Sequence, residues 1–498
     1  MKFVPPLLAV AFLWGCGQDE PFEPGTGPEP TLLSGVARVE LYSAQPQVAD
    51  VVVSLEVGAS VTVEVGGDDG VRPETVVKAA GGEARVRLRG LLPETTYEAT
   101  LVATGEGGAE QRVPLSFRTL EPRPGFIAQF QTERLAEGSK DYRLFDLCRL
   151  PTLSECGLFV VDPNGTTRFY LPANGALPPN LPFRPPAAVK LLADGTLMYL
   201  QDGDLFVVDE LGRLRRVVRA QDVGDAGFHH DVITLPNGNL LVIGLEFDTF
   251  TLAADGQDYY YAGDTLTEIA PDGKKVWGWS SFAHLDVQRV VPDFFTAVYH
   301  NPLNDELGAD WTHGNGVVHR ASDDTLLLSL RHQDWMVAID RKTGSVRWKL
   351  GEGGDFALTS GSWFYHPHSP EWQPDGSLVL YDNGLGNPHL PLAEQSSRPV
   401  RYRLDEKAMT VQQEWEETQE TFLSPIASDV DRTTTDTYLI LDSTLPVPGA
   451  PPGAFSFYSR LREVDPVTNE WLWTMRTLDD YFAYRAQPVT RLPGVAQP

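Results

Sequence analysis

The chain is built largely from copies of one short unit. Each copy has an apolar stretch, a tight turn (usually Asp-Gly or Asn-Gly), a second apolar stretch, then a Val-Asp-type turn and often a tryptophan. The copies begin near residues 143, 187, 229, 314, 368 and 426. Asp-Gly and Asn-Gly favour two-residue hairpins because both central positions need positive φ. Short strands at this period are typical of β-propeller blades, so the repeat predicts an all-β chain with a six-bladed β-propeller over residues 125–498.

A separate unit precedes the repeats. Residues 51–65 alternate apolar and polar side chains, as half-buried strands do. Residues 88–97, which end in Tyr97 and lead into another apolar strand, resemble the tyrosine-corner stretch of fibronectin type III domains. The pattern predicts a small fibronectin-III-like β-sandwich over residues 32–121, before a proline-rich boundary.

The N-terminus reads as an export signal. Residues 1–16 are predicted to be a lipoprotein-type signal peptide, because residues 1–15 are an apolar stretch opened by Lys2 that is too short to span a bilayer. It ends in Leu-Trp-Gly-Cys16, which resembles a bacterial lipobox and predicts lipidation of Cys16; the alternative is an ordinary signal peptide with a chance cysteine. Residues 17–31 suit a flexible tether. The protein is therefore predicted to be exported and lipid-anchored in the bacterial cell envelope, in the periplasm or at the outer membrane, with the lipid as its only membrane contact.

The net charge limits the possible binding partners, and the cysteine content predicts a disulfide. The net charge of −28 argues against nucleic acid, because phosphate binding needs a cationic surface. Cys148 and Cys156 are the two cysteines left after the signal, and export makes a disulfide between them the prediction. The alternative is two unpaired buried thiols.

One histidine register occurs twice. His230 and His368 each stand eight residues before the glycine of a tight turn. In a propeller blade this position is the start of the innermost strand, near the central axis. His313 lies just before the inner strand of the fourth copy, and Arg331 lies at the end of its second strand. These four residues are predicted to converge at one mouth of the central channel.

Three imidazoles and a guanidinium make a cationic pocket in an acidic protein, which implies an anionic substrate. The alternatives are local hydrogen-bonding histidines and a three-histidine metal site; Arg331 would repel a cation, so no metal or cofactor is predicted. Weaker candidates for supporting the site are His229, Asn315, His332, His366 and Asn383.

The segments that carry these residues resemble the bacterial arylsulfate sulfotransferase family, exported enzymes that use no nucleotide sulfate donor. The similar segments are residues 229–239, 310–315, 329–340 and 368–384. The resemblance implies a six-bladed propeller behind a small β domain, and transfer of a sulfuryl group from a phenolic sulfate donor to a phenol acceptor. It also implies that His368 is the nucleophile and that His230, His313 and Arg331 are essential. Gly316, where relatives often have serine, and the additional His366 depart from the pattern.

The expected reaction is a ping-pong transfer through a sulfohistidine at His368. Arg331 and one histidine would hold the sulfuryl oxygens, and either His230 or His313 would move the phenol proton. Two other functions stay open: a non-catalytic ligand- or protein-binding propeller lipoprotein, and a sulfate or phosphate ester hydrolase. The sequence leaves open the natural donor and acceptor, the oligomeric state, the face of the outer membrane and the role of the N-terminal domain.

Overall fold

The described part of the chain is almost entirely β-structure. The computed structural model describes residues 31–78, 80–150, 155–173, 186–451 and 456–497. These residues form eight sheets, in which nearly all neighbouring strands are antiparallel, so the prediction of an all-β fold is confirmed. The predicted signal peptide, Cys16 and nearly all of the tether lie outside the described residues. Among the residues that the structure describes, no helix has the length and apolar character needed to cross a membrane.

Two four-stranded sheets near the N-terminus pack on one hydrophobic core. In spatial order, the strands of one sheet are Arg38–Leu41, Val48–Leu55, Gly82–Arg89 and Arg72–Pro73. Those of the other are Val76–Lys78, Ala59–Val65, Thr96–Gly105 and Glu110–Arg118. Strand side chains alternate between faces, and for this reason Val51 and Val53 of one sheet meet Val61 and Val63 of the other in the core.

Six further sheets follow along the chain and are numbered sheet 1 to sheet 6. Sheet 1 contains Tyr142–Arg149, Cys156–Val161 and Thr167–Pro172, together with the C-terminal strands Tyr481–Phe482 and Ala486–Val489. Sheet 2 contains Ala187–Leu191, Leu197–Gln201, Asp204–Val208 and Leu214–Val218. Sheet 3 contains Phe228–Thr234, Leu240–Leu252, Gln257–Ile269, Lys275–Ser280, Val298–His300 and Leu307–Asp310.

Sheets 4 to 6 complete the set. Sheet 4 contains Gly314–Arg320, Thr325–Leu330, Trp335–Asp340 and Val346–Leu350. Sheet 5 contains His368–Trp372, Leu378–Asp382, Arg398–Asp405, Thr410–Glu416 and Ala357–Ser360. Sheet 6 contains Asp429–Arg432, Tyr438–Pro446, Phe457–Val464, Trp471–Arg476 and Gln131–Arg134. The helical turns are Ala220–Val223, Ser281–His284, Pro292–Phe295, Arg331–Gln333 and Leu392–Glu394.

The second strands of the sheets are apolar on both faces, which explains why the repeats contain continuous apolar runs. In sheet 3, Leu240 and Val242 pack toward sheet 2, whereas Leu241 and Ile243 pack toward sheet 4. Six hydrophobic clusters of this kind connect each sheet to the next and sheet 6 back to sheet 1. The first strands of the sheets therefore lie close to one another, and their ends meet at a common place.

Polar contacts fix the N-terminal sheets against sheets 1 and 2. Arg168 binds Asp68 at 2.9 Å and Asp162 at 2.8 Å. Arg87 binds Glu210 at 2.5 Å. The pairs of Arg168 with Asp68 and of Arg87 with Glu210 join the N-terminal sheets to sheets 1 and 2.

Cys148 and Cys156 form a disulfide across two paired strands of sheet 1. Both side chains are buried. Cys148 also stands opposite Phe482 of the C-terminal strand, so the bond lies where the end of the chain joins sheet 1. The predicted disulfide is confirmed, and the alternative of two unpaired thiols is wrong.

Candidate functional site

The four residues that the sequence singles out lie together. His230 and His368 are on the first strands of sheets 3 and 5, His313 immediately precedes the first strand of sheet 4, and Arg331 directly follows its second strand. The ring centroids of His230 and His313 are 4.7 Å apart. Arg331 and His313 are close enough for their charges to act on His368. The fold thus assembles three imidazoles and one guanidinium from three consecutive sheets.

Irregular backbone recurs at this end of the sheets. The pairing register shifts near the start of the first strand in each of sheets 2 to 5. Such bulges bend a strand and re-aim its side chains, and they are common beside active sites. His230, His313 and His366 have φ of 60°, 51° and 50°, a left-handed conformation that is uncommon outside glycine. Strained backbone held in a packed structure is typical of functional sites.

Asn383 fixes the tautomer of His368. The Asn383 Nδ2 donates to the carbonyls of Ser424 and Ala427 at 2.6 and 3.1 Å, so its Oδ1 is the atom that faces His368. That oxygen lies 2.6 Å from the Nδ1 of His368. An amide oxygen only accepts, and therefore Nδ1 of the imidazole carries the proton and Nε2 carries the free lone pair.

The surroundings of His368 keep its imidazole uncharged. The side chain is 2% exposed. Burial lowers the pKa of His368 well below its ordinary value, and the charges of Arg331, Arg485 and His313 act in the same direction. A neutral imidazole with an available Nε2 can attack an electrophile at neutral pH without first losing a proton.

His313 is hydrogen-bonded to Asp310. Its Nδ1 donates to the Asp310 carboxylate at 2.5 Å, which leaves Nε2 for another partner. Burial alone would raise the pKa of Asp310, but the charge and hydrogen bond of His313 lower it below the ordinary value. The side chain of His313 is 20% exposed, so this imidazole borders open space.

Arg331 is held so that part of its guanidinium stays available. His332 donates from Nδ1 to the Asp310 carbonyl at 2.7 Å, so its Nε2 accepts from the Arg331 Nη1 at 2.5 Å. The Nη2 of Arg331 donates to the Pro425 carbonyl at 3.3 Å. The buried Nε makes no hydrogen bond to any residue that the structure describes. A guanidinium has five N–H groups, so three are left for the oxygens of an anion.

His229 and His230 contact each other through their rings. The two Nδ1 atoms are 2.6 Å apart. The Nε2 of His229 lies 3.2 Å from the Gly244 carbonyl and 3.1 Å from the Asp264 carboxylate. Burial lowers the pKa of His230 well below its ordinary value, with further contributions from His313 and the other nearby cationic groups.

The two remaining weaker candidates support the chain around His368. Asn315 donates to the Pro367 carbonyl at 2.8 Å and so fixes the backbone just before the histidine. The Nε2 of His366 lies 3.2 Å from the Asp293 carboxylate, and its ring centroid is 5.9 Å from that of His332. Burial lowers the pKa of His366.

Sequence reasoning misses Asp310, Asp264 and Arg485. Asp310 stands three residues before His313 and could have been found from that spacing. Arg485 gives no local signal, because it comes from the C-terminal strands that complete sheet 1. It is buried, its charge acts on His230 and His368, and it donates to the Asn315 carbonyl at 2.6 Å and to Asp429 at 3.1 Å. The site therefore contains a second buried guanidinium, bound to protein groups.

An apolar cavity of about 210 Å³ opens beside His229 and His230. Its other walls are mainly aromatic and aliphatic, and they include Ala187, Leu200, Phe228, Tyr299, Phe482 and Tyr484. Apolar walls next to a few convergent polar groups are typical of small-molecule sites. The arrangement suits a flat apolar group joined to an anion.

Asp310, His313 and His332 have donor atoms within 4.8 Å of one another, as a metal site would require. Hydrogen bonds already engage both nitrogens of His332 and the Nδ1 of His313. The Nε2 of His313 and the Asp310 carboxylate are left, which is fewer than the three protein ligands of a typical catalytic zinc site. The trio therefore fits a hydrogen-bonded support of the site and is not assigned as a set of metal ligands.

The solved structures that match this chain resemble it only weakly over their whole length. A protein of unknown function from Bacteroides caccae matches 71% of this chain and 100% of its own, with a TM-score of 0.43 and 10% identity. The hydrazine synthase of Kuenenia stuttgartiensis matches 60% of this chain and 68% of its own, with a TM-score of 0.33 and 12% identity.

Two curated relatives are arylsulfate sulfotransferases. That of Escherichia coli is 28% identical over 271 residues, covering 42% of this chain and 44% of the relative. That of Lelliottia amnigena is 30% identical over 169 residues, covering 26% of this chain and 28% of the relative. The chain thus matches less than half the length of these relatives. The model of the family described as Arylsulfotransferase (ASST) matches residues 133–485, which include every clustered histidine and most of sheets 1 to 6. The chain therefore belongs to the arylsulfotransferase family.

Proposed function

We propose that this protein transfers a sulfuryl group from a phenolic sulfate donor to a phenol acceptor, in two steps, through a sulfohistidine at His368. The observation that carries the proposal is the hydrogen bond from His368 to Asn383, which leaves Nε2 of a neutral imidazole as a nucleophile. Membership of the arylsulfotransferase family supports chemistry on aryl sulfates. The proposed steps use no cofactor.

In the first step, Nε2 of His368 attacks the sulfur and the bond from sulfur to the aryl oxygen breaks. Arg331 supplies three N–H groups for the sulfuryl oxygens, whose charge builds up as the bonds loosen. His230 or His313 gives a proton to the departing phenolate. The aryl ring occupies the cavity beside His230, where Tyr299 and Tyr484 can pack against it.

In the second step, the acceptor phenol takes the place of the first phenol and attacks the sulfur. Its proton returns to the histidine, the bond from Nε2 to sulfur breaks, and neutral His368 is restored. The Nδ1 proton stays on the ring throughout, because its partner Asn383 is a neutral acceptor. Keeping that proton leaves the imidazole a good leaving group, so the intermediate stays reactive.

The architecture proposed for this reaction is a six-bladed propeller over residues 125–498 behind a fibronectin-III-like sandwich over residues 32–121. The hydrophobic clusters that link sheets 1 to 6 in a circle support the propeller. The Tyr97 hydroxyl accepts from the Leu92 amide at 2.8 Å, a hydrogen bond of the tyrosine-corner type, which supports the sandwich.

Export and a lipid anchor at Cys16 are also proposed, on the basis of the first 16 residues. The disulfide between Cys148 and Cys156 fits an oxidising compartment outside the cytoplasm. We expect mass spectrometry of detergent-extracted protein to find an acylated cysteine at the mature N-terminus. A mature chain that starts at another residue would reject the anchor.

Incubation with a chromogenic aryl sulfate, with and without added phenol, tests the proposed function. Release of the chromophore that needs phenol, with the sulfate found on the added phenol, is the expected result. Release without phenol would identify a hydrolase of sulfate esters. Binding of the ester with no release in either mixture would identify a non-catalytic ligand-binding protein.

Replacing Asn383 by leucine tests the tautomer argument. Leucine has a similar volume but accepts no hydrogen bond, so Nδ1 of His368 loses the partner that holds its proton. A wrong or mobile histidine tautomer can lower the rate of catalysis by several orders of magnitude. We expect release of the first phenol to slow by about a hundredfold or more. The measurement is a single turnover with donor alone. Asn239→Leu, at a turn where Asn239 donates to Glu268, is the matched control, and equal rates in both variants would refute the argument.

A further inference from the structure

The pair His229–His230 has a fixed pattern of hydrogen bonds. The groups next to the Nε2 of His229, the Gly244 carbonyl and the Asp264 carboxylate, are both acceptors. This Nε2 must therefore carry a proton. In neutral His229 the Nδ1 is then a free lone pair, and it accepts from the Nδ1 of His230 at 2.6 Å. His230 consequently presents an unprotonated Nε2 on its other side.

His230 is poorly placed to hold a positive charge by itself. Its ring is 4.7 Å from that of His313, and Arg485 and His368 are near as well. Tyr484 packs against it at 5.6 Å between centroids and offers no negative charge. His229, in contrast, has the Asp264 carboxylate 3.1 Å from its Nε2. A positive charge is more stable on His229 than on His230.

We propose that Asp264, His229 and His230 form a proton relay that serves the phenol oxygen, with His230 as the acid–base residue and with His229 and Asp264 as positioning residues. The inference rests on the proposed function and deepens it, because it decides between His230 and His313. His313 has its Nδ1 on the Asp310 carboxylate. It is assigned to the sulfuryl oxygens.

The relay balances in both steps. When the acceptor phenol attacks, its O–H bond breaks and a bond from that hydrogen to Nε2 of His230 forms. The Nδ1 proton of His230 passes to the Nδ1 of His229, which leaves His230 neutral and His229 as an imidazolium beside Asp264. Before the first step the relay therefore holds this proton, with His229 as an imidazolium and His230 protonated on Nε2. As the phenolate leaves, both transfers run in reverse: the Nε2 proton passes to the phenolate, the Nδ1 proton of His229 passes to the Nδ1 of His230, and both histidines are left neutral for the acceptor. No proton is exchanged with solvent.

The test uses two donors that differ in the basicity of the leaving phenol. Phenyl sulfate releases a basic phenolate that needs a proton, whereas 4-nitrophenyl sulfate releases a weakly basic one that does not. In a ping-pong reaction, kcat/KM for the donor reports the first step alone. His229→Asn keeps an oxygen acceptor near the position of Nδ1 but cannot take a proton. The variant therefore distinguishes a His229 that accepts a proton from one that only orients His230. His319→Asn alters another His–Asp pair, with Asp324, and is the matched control.

The relay predicts that His229→Asn lowers kcat/KM for phenyl sulfate by about a hundredfold, the usual size of an acid–base contribution, and hardly changes it for 4-nitrophenyl sulfate. Asp264→Asn should lower it in the same selective way, and His319→Asn should match the wild type for both esters. Equal losses for both esters in the two test variants, or no loss for either, would overturn the relay while leaving the transfer reaction intact. A wild-type enzyme that turns over neither ester would overturn the proposed function and the relay with it.

Discussion

Replacing His368 by alanine is expected to abolish turnover of phenolic sulfates while the protein stays folded. His368 supplies an Nε2 lone pair that its tautomer leaves free, and the charge of Arg331 acts on this imidazole. Removing the attacking group of an enzyme that works through a covalent intermediate costs about 10⁴-fold or more in kcat. The measurement is the initial rate of chromophore release with saturating phenol, together with the thermal unfolding midpoint.

Chemical rescue provides the control for that variant. Alanine leaves a space the size of an imidazole, and free imidazole added to the variant should restore part of the rate if an imidazole nucleophile is all that is missing. Wild-type enzyme mixed with donor alone should release about one phenol per site in a burst and gain a sulfuryl-sized mass on the peptide with His368. More than a few per cent of the wild-type rate in a folded His368→Ala variant would refute the nucleophile.

The β-class of the fold could be predicted because its signal is local. Every repeat carries a turn that needs positive φ and apolar runs of strand length, and the second strands of the sheets occupy those runs. Leu240 to Ile243 illustrate the limit of such reasoning. The run itself predicts a buried strand, but only the structure tells that alternate residues pack on two different neighbouring sheets.

The clustering of the histidines could be predicted from their equivalent positions in the repeats. The buried charged residues that contact them could not be predicted. His230 and His368 hold equivalent positions in two repeats, and equivalent positions meet when the sheets are arranged about a common centre. Asp264 and Arg485 reach the same place from an insertion-bearing sheet and from the C-terminus, and such long-range contacts leave no periodic signal. The bulge at the start of the first strand of sheet 3, where His230 has a positive φ, leaves no periodic signal either, although histidine adopts this conformation more often than most residues other than glycine.

Arg331→Lys is expected to lower kcat/KM for the donor by about a hundredfold or more, although the charge is kept. The guanidinium of Arg331 is a planar fork that is held by His332 and by the Pro425 carbonyl, and three of its N–H groups are left for the sulfuryl oxygens. A lysine ammonium is a single point donor on a flexible stem and cannot bind two sulfuryl oxygens in the same rigid way. Loss of one preorganised donor in a site of this kind costs about 3 kcal/mol.

The matched control for this substitution is Arg347→Lys, because Arg347 pairs with Asp323 and Asp340 at a turn of sheet 4. That variant should retain the wild-type kcat/KM. Inorganic sulfate, as a competitive inhibitor, supplies a second measurement: it should bind more weakly to Arg331→Lys than to the wild type, because the same N–H groups would hold its oxygens. A wild-type rate together with unchanged inhibition by sulfate would mean that Arg331 does not contact the sulfuryl group. Arg485 would then be the buried guanidinium whose charge still acts on His368.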